Sequence, residues 1–385
     1  MGLHWNKFME LARRENGSRQ GAPAEGAGFE IEDKNPEGML RRAEELLNGN
    51  FRIEALQLLI EIKSREDADE EVLGRVCRLL EEIGDYKEAY EGYRILSSMV
   101  PDEAYPHLSM GRMLEIEGRF DEAALCHRRG LELEPSNPEC YFRLGVLFTK
   151  KHKYSEAEKY YRQAITLDPT HAKSYTNLGY ILDMNGKQEV AMQQFLKAVQ
   201  YNPKSAEAHF NLGALYGEEG NREQAVNEFR IGLELSPASL EGRYNLGMAL
   251  INEGRYEDAM EEFRIMLELE EDNVNALFYC GFLNYRKGLY QKALKYLGKA
   301  ARLNPGNSRI LFYVGECYNK LEQPAMAMEY YTEVVEIDPQ NRKAFFNLGV
   351  TYEKQGDLEK AREYYRRAAG GQSSKPDREK RELPL

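Results

Sequence analysis

From Ala172 to Ser205 the apolar positions fall three and four residues apart. Tyr175, Leu178, Gly179 and Leu182 form one stripe, and after a break at Gly186 a second follows at Ala191, Phe195 and Ala198. Such spacing lines up side chains on one face of an α-helix. The stretch therefore predicts two helices with facing stripes, joined at Gly186 by a turn that tolerates positive φ. The same pattern returns every 34 residues. Its clearest mark is alanine, at Ala55, Ala89, Ala123, Ala157, Ala191, Ala225, Ala259, Ala293, Ala327 and Ala361, and no insertion disturbs the interval between Pro36 and about Lys375.

Twelve residues before each of these alanines stands another small residue: Ala43, Cys77, Gly111, Gly145, Gly179, Gly213, Gly247, Gly281, Gly315 and Gly349. Two small side chains per unit let two helices approach closely at a crossing. Twelve residues after the alanine, proline recurs at Pro101, Pro135, Pro169, Pro203, Pro237, Pro305 and Pro339. Proline lacks the backbone N–H that would continue a helix and so closes the second one. Glycines equivalent to Gly186 recur at Gly84, Gly118, Gly220, Gly254, Gly288 and Gly356. A helical hairpin repeated at a fixed period is the signature of a solenoid, in which each unit touches only its neighbours. Function is then expected on an extended surface rather than in a pocket.

These units resemble tetratricopeptide repeats over about nine-tenths of the chain. The family pattern appears as Tyr141, Leu144, Gly145, Phe148, Ala157, Tyr161, Ala164 and Pro169. Departures are local. Arg42 and Asp67 weaken the first unit, Glu271 stands for a proline, Gln323-Pro324 for the usual glycine turn, and Ser373 ends the last unit without its proline. The expected fold is all-α, a right-handed α-solenoid of ten hairpins over residues 36–373. It would be preceded by an N-terminal segment (1–35) and followed by a polar, disordered tail (374–385). Within the N-terminal segment, Trp5, Phe8, Met9 and Ala12 suggest a short amphipathic helix, and 17–28 a flexible linker.

The net charge of −12 disfavours nucleic acid and anionic lipid as main partners. No run is long and apolar enough to span a membrane, and no secretory leader is visible, so the chain reads as cytoplasmic. Cys77, Cys126, Cys140, Cys280 and Cys317 contain no pair spaced for zinc or redox work, and Cys77 and Cys280 fall on packing positions. No phosphate loop, zinc-protease or nucleophile-elbow motif is present. His107, His127 and His209 occupy positions that are aromatic in other units and read as packed side chains. Neither an enzymatic activity nor a metal or other cofactor is expected.

In the resembled family the first helix of each hairpin lines a groove, and its sixth position often carries an asparagine that bonds a peptide backbone. Here that position reads Arg143, Asn177, Asn211, Asn245, Tyr279, Tyr313 and Asn347. The run of asparagines resembles part of the ladder in O-GlcNAc transferase repeats, but no transferase domain follows. Lys173 with Asn177 and Lys343 with Asn347 offer only the last part of a chaperone-tail clamp. In the last units the groove positions collect Phe278, Tyr279, Phe282, Tyr285, Phe312, Tyr313 and Phe346 with Arg286, Arg309, Lys320, Lys343 and Lys354. Glu207, Glu218 and Glu241 occupy corresponding positions in the units before them. The resemblance thus implies a non-catalytic scaffold or adaptor that binds an extended segment of another protein, carrying acidic and apolar residues, in a concave groove. The alternative is a regulatory or targeting subunit of a multi-chain enzyme. Self-association stays open.

Overall fold

The computed structural model describes residues 35–370. The expectations for an N-terminal helix, its linker and the polar tail lie outside them. All the regular structure among the described residues is helical. The chain divides into two compact units, with the boundary after Cys140.

The first unit contains α1 (Pro36–Asn48), α2 (Arg52–Lys63), α3 (Glu70–Ile83), α4 (Tyr86–Met99), α5 (Ala104–Ile116), α6 (Phe120–Leu133) and the start of α7 (Pro138–Lys150). The second takes the remainder of α7 and then α8 (Tyr154–Leu167), α9 (Ala172–Met184), α10 (Gln188–Tyr201), α11 (Ala206–Glu218), α12 (Arg222–Leu235) and α13 (Leu240–Asn252). It continues with α14 (Tyr256–Leu269), α15 (Val274–Arg286), α16 (Tyr290–Leu303), α17 (Ser308–Lys320), α18 (Pro324–Ile337), α19 (Arg342–Lys354) and α20 (Leu358–Ala368). Odd-numbered helices open a hairpin and even-numbered ones close it. The tandem all-α hairpins expected from the 34-residue period are those observed.

Short polar residues start the opening helices at the same interval. The side chains of Asn35, Asp69, His171, Ser205, Ser239, Asn273, Asn307 and Asn341 each accept from a backbone N–H of the first turn, satisfying donors that a helix start leaves unpaired. At the bend inside each hairpin the backbone turns left-handed. Gly186 has φ 73° and Gly254 φ 80°, and Asn50, His152 and Glu322 hold the same conformation where glycine is missing, at 64°, 56° and 57°. The irregular turn near residue 323 is thus carried by Glu322, while Pro324 supplies the first residue of α18.

The recurring small residue is explained by what lies on it. A Cβ on Gly179 would sit 2.7 Å from the Phe195 ring, one on Gly247 2.6 Å from Phe263, and one on Gly281 2.5 Å from Leu297. A large side chain sixteen residues onward thus lies against the bare backbone of the opening helix. His127 plays this part in the first unit, fully buried against Gly111 with Nε2 2.6 Å from the Glu115 carboxylate. Cys77 and Cys280 are buried, and burial pushes both thiols up to about 12.

Candidate functional site

In the second unit the opening helices α15, α17 and α19, together with the closing helix α20, border an open cleft of about 940 Å³. The helix period brings Phe282, Tyr285 and Arg286 to it from α15, and Phe312, Tyr313 and Glu316 from α17. Arg342, Lys343, Phe346 and Asn347 come from α19, with Tyr365, Ala368 and Ala369 at the end of the array. The aromatic residues form a continuous wall. The Tyr313 ring lies 5.1 Å from Phe282, 5.5 Å from Tyr285 and 5.6 Å from Phe312, all edge-on, an arrangement aromatic pairs favour. Phe346 is 54% exposed, so the wall stays open on that side.

The polar part of the cleft has one fixed anion and three cations. Glu316 accepts from the Tyr285 hydroxyl at 2.9 Å, from the Tyr331 hydroxyl at 2.6 Å and from the Asn347 amide at 2.5 Å. Burial, reinforced by that carboxylate, pushes the ionisation of Tyr285 and Tyr331 upward, so both hydroxyls remain donors. Burial likewise raises Tyr313. Arg286 lies 5.5 Å from the centre of the Tyr256 ring. Among the described residues no carboxylate pairs with Arg286, Arg342 or Lys343.

Eight of the residues expected on the groove meet here: Phe282, Tyr285, Arg286, Phe312, Tyr313, Lys343, Phe346 and Asn347. Tyr279 does not. It is only 5% exposed and stacks on Phe263 with centroids 4.9 Å apart and planes 12° apart, because the ring face of Phe263 stands one helix behind it. Phe278 is buried with it, and Arg309 caps the pair, 4.6 Å from the Phe278 centroid and 5.7 Å from that of Tyr279. Lys320 and Lys354 are exposed at the ends of α17 and α19 and do not line the cleft. Asn177, Asn211 and Asn245 sit on α9, α11 and α13, away from it. Asn177 donates to the Lys173 carbonyl of its own helix at 3.0 Å, and Asn211 and Asn245 are half-buried.

Sequence reasoning missed Glu316, Arg342 and Tyr365. A signal for Glu316 was available: its repeat position is Met248, Phe282 and Val350 in neighbouring units. A lone carboxylate among apolar residues marks a departure.

Models described as tetratricopeptide repeat match residues 138–171, 160–193, 210–274, 283–342 and 343–369, and one described as TPR repeat matches 184–220, together more than half of the chain. The chain belongs to the tetratricopeptide-repeat family. No curated protein matches it. Among solved structures, the C-terminal part of a TPR repeat-containing protein from Cytophaga hutchinsonii is 20% identical, with TM-score 0.50 over 62% of this chain and 98% of that one. A chain of the APC/C hetero-tetramer Cut9–Hcn1 is 16% identical, with TM-score 0.50 over 83% of this chain and 64% of its own. YrrB, described as a TPR protein with an unusual peptide-binding site, is 23% identical, with TM-score 0.44 over 49% and 97%. At these identities the likeness concerns the fold alone. Tetratricopeptide proteins bind other proteins or peptides, and as a tetratricopeptide array this chain is a protein-interaction scaffold in that general sense. No helix among the described residues is long and apolar enough to cross a membrane.

Proposed function

We propose that the chain is a non-catalytic scaffold that takes an extended acidic and apolar peptide segment of a partner protein into the cleft between α15, α17, α19 and α20. The observation that carries this reading is the coincidence of an aromatic wall with three cations that have no carboxylate partner among the described residues, in a cleft of about 940 Å³ on a protein of net charge −12. That volume lies within the roughly 300–1,000 Å³ of ordinary ligand pockets. Aromatic and arginine anchors dominate the energetics of protein interfaces, whereas rim charges mainly steer encounter. Phe346 and Tyr313 would hold an apolar side chain, and Arg286, Arg342 and Lys343 would meet carboxylates beside it. Glu316 gives the cleft a fixed polarity, because its three protein donors keep its charge in place.

Fluorescence anisotropy with labelled peptides that alternate glutamate with aromatic or aliphatic residues tests the reading. Tyr313→Ala with Phe346→Ala should weaken binding by well over about tenfold, chiefly through faster dissociation, because each removes an anchor worth about 2 kcal/mol or more. Arg342→Glu with Lys343→Glu should slow association, and added salt should erase the difference. Unchanged affinity in both folded variants would place the peptide site elsewhere.

A further inference from the structure

Four charged side chains line the cleft, and none pairs with another. Among the described residues Glu316 forms no ion pair. Its three donors, the Tyr285 and Tyr331 hydroxyls and the Asn347 amide, are all neutral. Oε1 accepts from Tyr331 and Asn347, whereas Oε2 accepts from Tyr285 alone, so one of the roughly four acceptor sites of the carboxylate is left to an occupant. The acid is not a feature of the repeat, since α15 carries Phe282 and α19 Val350 at the equivalent place. A carboxylate among these cations repels an acidic side chain brought against it and attracts a basic one.

The charges also stand in a fixed order. Glu316 of α17 is bonded to Tyr285 of α15 at 2.9 Å on one side and to Asn347 of α19 at 2.5 Å on the other, so α17 lies between the other two opening helices. Across the three helices the sign runs from positive at Arg286 to negative at Glu316 and back to positive at Arg342 and Lys343. We propose that the cleft selects a peptide of complementary order, acid, lysine, acid, and that Glu316 is the residue that reads the central lysine. The inference rests on the acidic-peptide reading of the same cleft and adds a charge sequence to it. Packed helices lie about 8–10 Å apart. Acids two residues to either side of a lysine stand about 6–7 Å from it on the same face of an extended backbone, and the long side chains of Arg286 and Lys343 span the remainder. Lysine also suits the wall: its methylene stem lies along a ring such as Tyr313, and aromatic faces attract the ammonium that donates to Oε2.

Fluorescence anisotropy of the full-length chain with three labelled peptides provides the test. The first contains Glu-Phe-Lys-Phe-Glu between glycine–serine flanks. The second, Lys-Phe-Glu-Phe-Glu, has the same composition and net charge but an acid at the centre. In the third, methionine replaces the central lysine, keeping its length and removing its charge. The wild-type chain should bind the first peptide at least about tenfold more tightly than either of the others. Glu316→Gln, which keeps the side chain's size, should bind the first two alike. Should that variant not fold, the three affinities of the wild-type chain decide by themselves. Equal binding of the first two peptides by the wild-type chain would overturn the charge order and leave the acidic-peptide reading standing. A methionine peptide that binds as well as the lysine peptide would show that the centre of the cleft reads shape and not charge, and a preference that survives in folded Glu316→Gln would remove Glu316 as the reader. If none of the three binds, and neither do the alternating acidic peptides, the acidic-peptide reading fails as well.

Discussion

The contact between Gly247 of α13 and Phe263 of α14 offers a direct test of what the recurring glycine does. An added Cβ would lie 2.6 Å from Cζ of Phe263 and 2.9 Å from Cε1, well inside the roughly 3.5–4.0 Å at which carbon atoms attract. Phe263 is fully buried and stacked on Tyr279, so its ring has little freedom to yield. Gly247→Leu should overpack the crossing at a cost of about 1–3 kcal/mol, less the roughly 0.8 kcal/mol by which leucine exceeds glycine in a helix interior. Phe263→Ala leaves a cavity and should cost about 3–5 kcal/mol. In the double variant the leucine side chain occupies the space vacated by the ring, so the two costs should fall short of their sum by about 1–3 kcal/mol. The chain already tolerates related pairings: Ala43 with Leu59, both fully buried, and Gly281 with Leu297. Native-state hydrogen exchange on the four proteins reads both size and range. Loss of protection in the single variants should concentrate in α13, α14 and the adjoining helices, since repeat units couple to their neighbours. Additive losses in the double variant would refute the shared-space account, and damage spread evenly along the chain would refute nearest-neighbour coupling.

Two further outcomes follow from local chemistry. Glu322 holds φ 57° at a bend where seven other hairpins place glycine; Glu322→Gly should remove a left-handed penalty of about 1–2 kcal/mol while adding about 0.4–1 kcal/mol of unfolded-chain freedom, and a higher urea midpoint would confirm the net gain. Burial raises the thiols of Cys77, Cys140, Cys280 and Cys317 to about 12. In the unfolded chain such thiols ionise near about 8.5. Because the folded values are the higher ones, this contribution is complete below the unfolded value and is lost as pH rises toward 12. Urea midpoints should therefore fall progressively above about pH 9, and replacing Cys280 with Ala should reduce the slope.

The sequence by itself determined the architecture of the described hairpins. The alanine–glycine register, the left-handed bends and the side-chain caps are all local or recur at one interval, so ten copies of one signal override weak units such as that with Arg42. Part of the candidate site was also legible, since Phe282, Tyr285, Arg286, Tyr313, Lys343 and Asn347 stand at the groove positions that the family resemblance implies, whereas Arg342 and Tyr365 do not appear among them. Tertiary structure decided which of the equivalent rings reach the cleft. Tyr279 and Tyr313 hold the same repeat position, yet the preceding closing helix offers Tyr279 the ring face of Phe263, whereas Leu297 stands at that place before Tyr313. One ring is drawn into the core, and the other packs edge-on against Phe282 and Tyr285 at the cleft. The hydrogen-bond network around Glu316 became legible only in three dimensions for a similar reason. Its donors Tyr285, Tyr331 and Asn347 come from α15, α18 and α19, and no repeat-by-repeat reading assembles a network that draws each member from a different hairpin position.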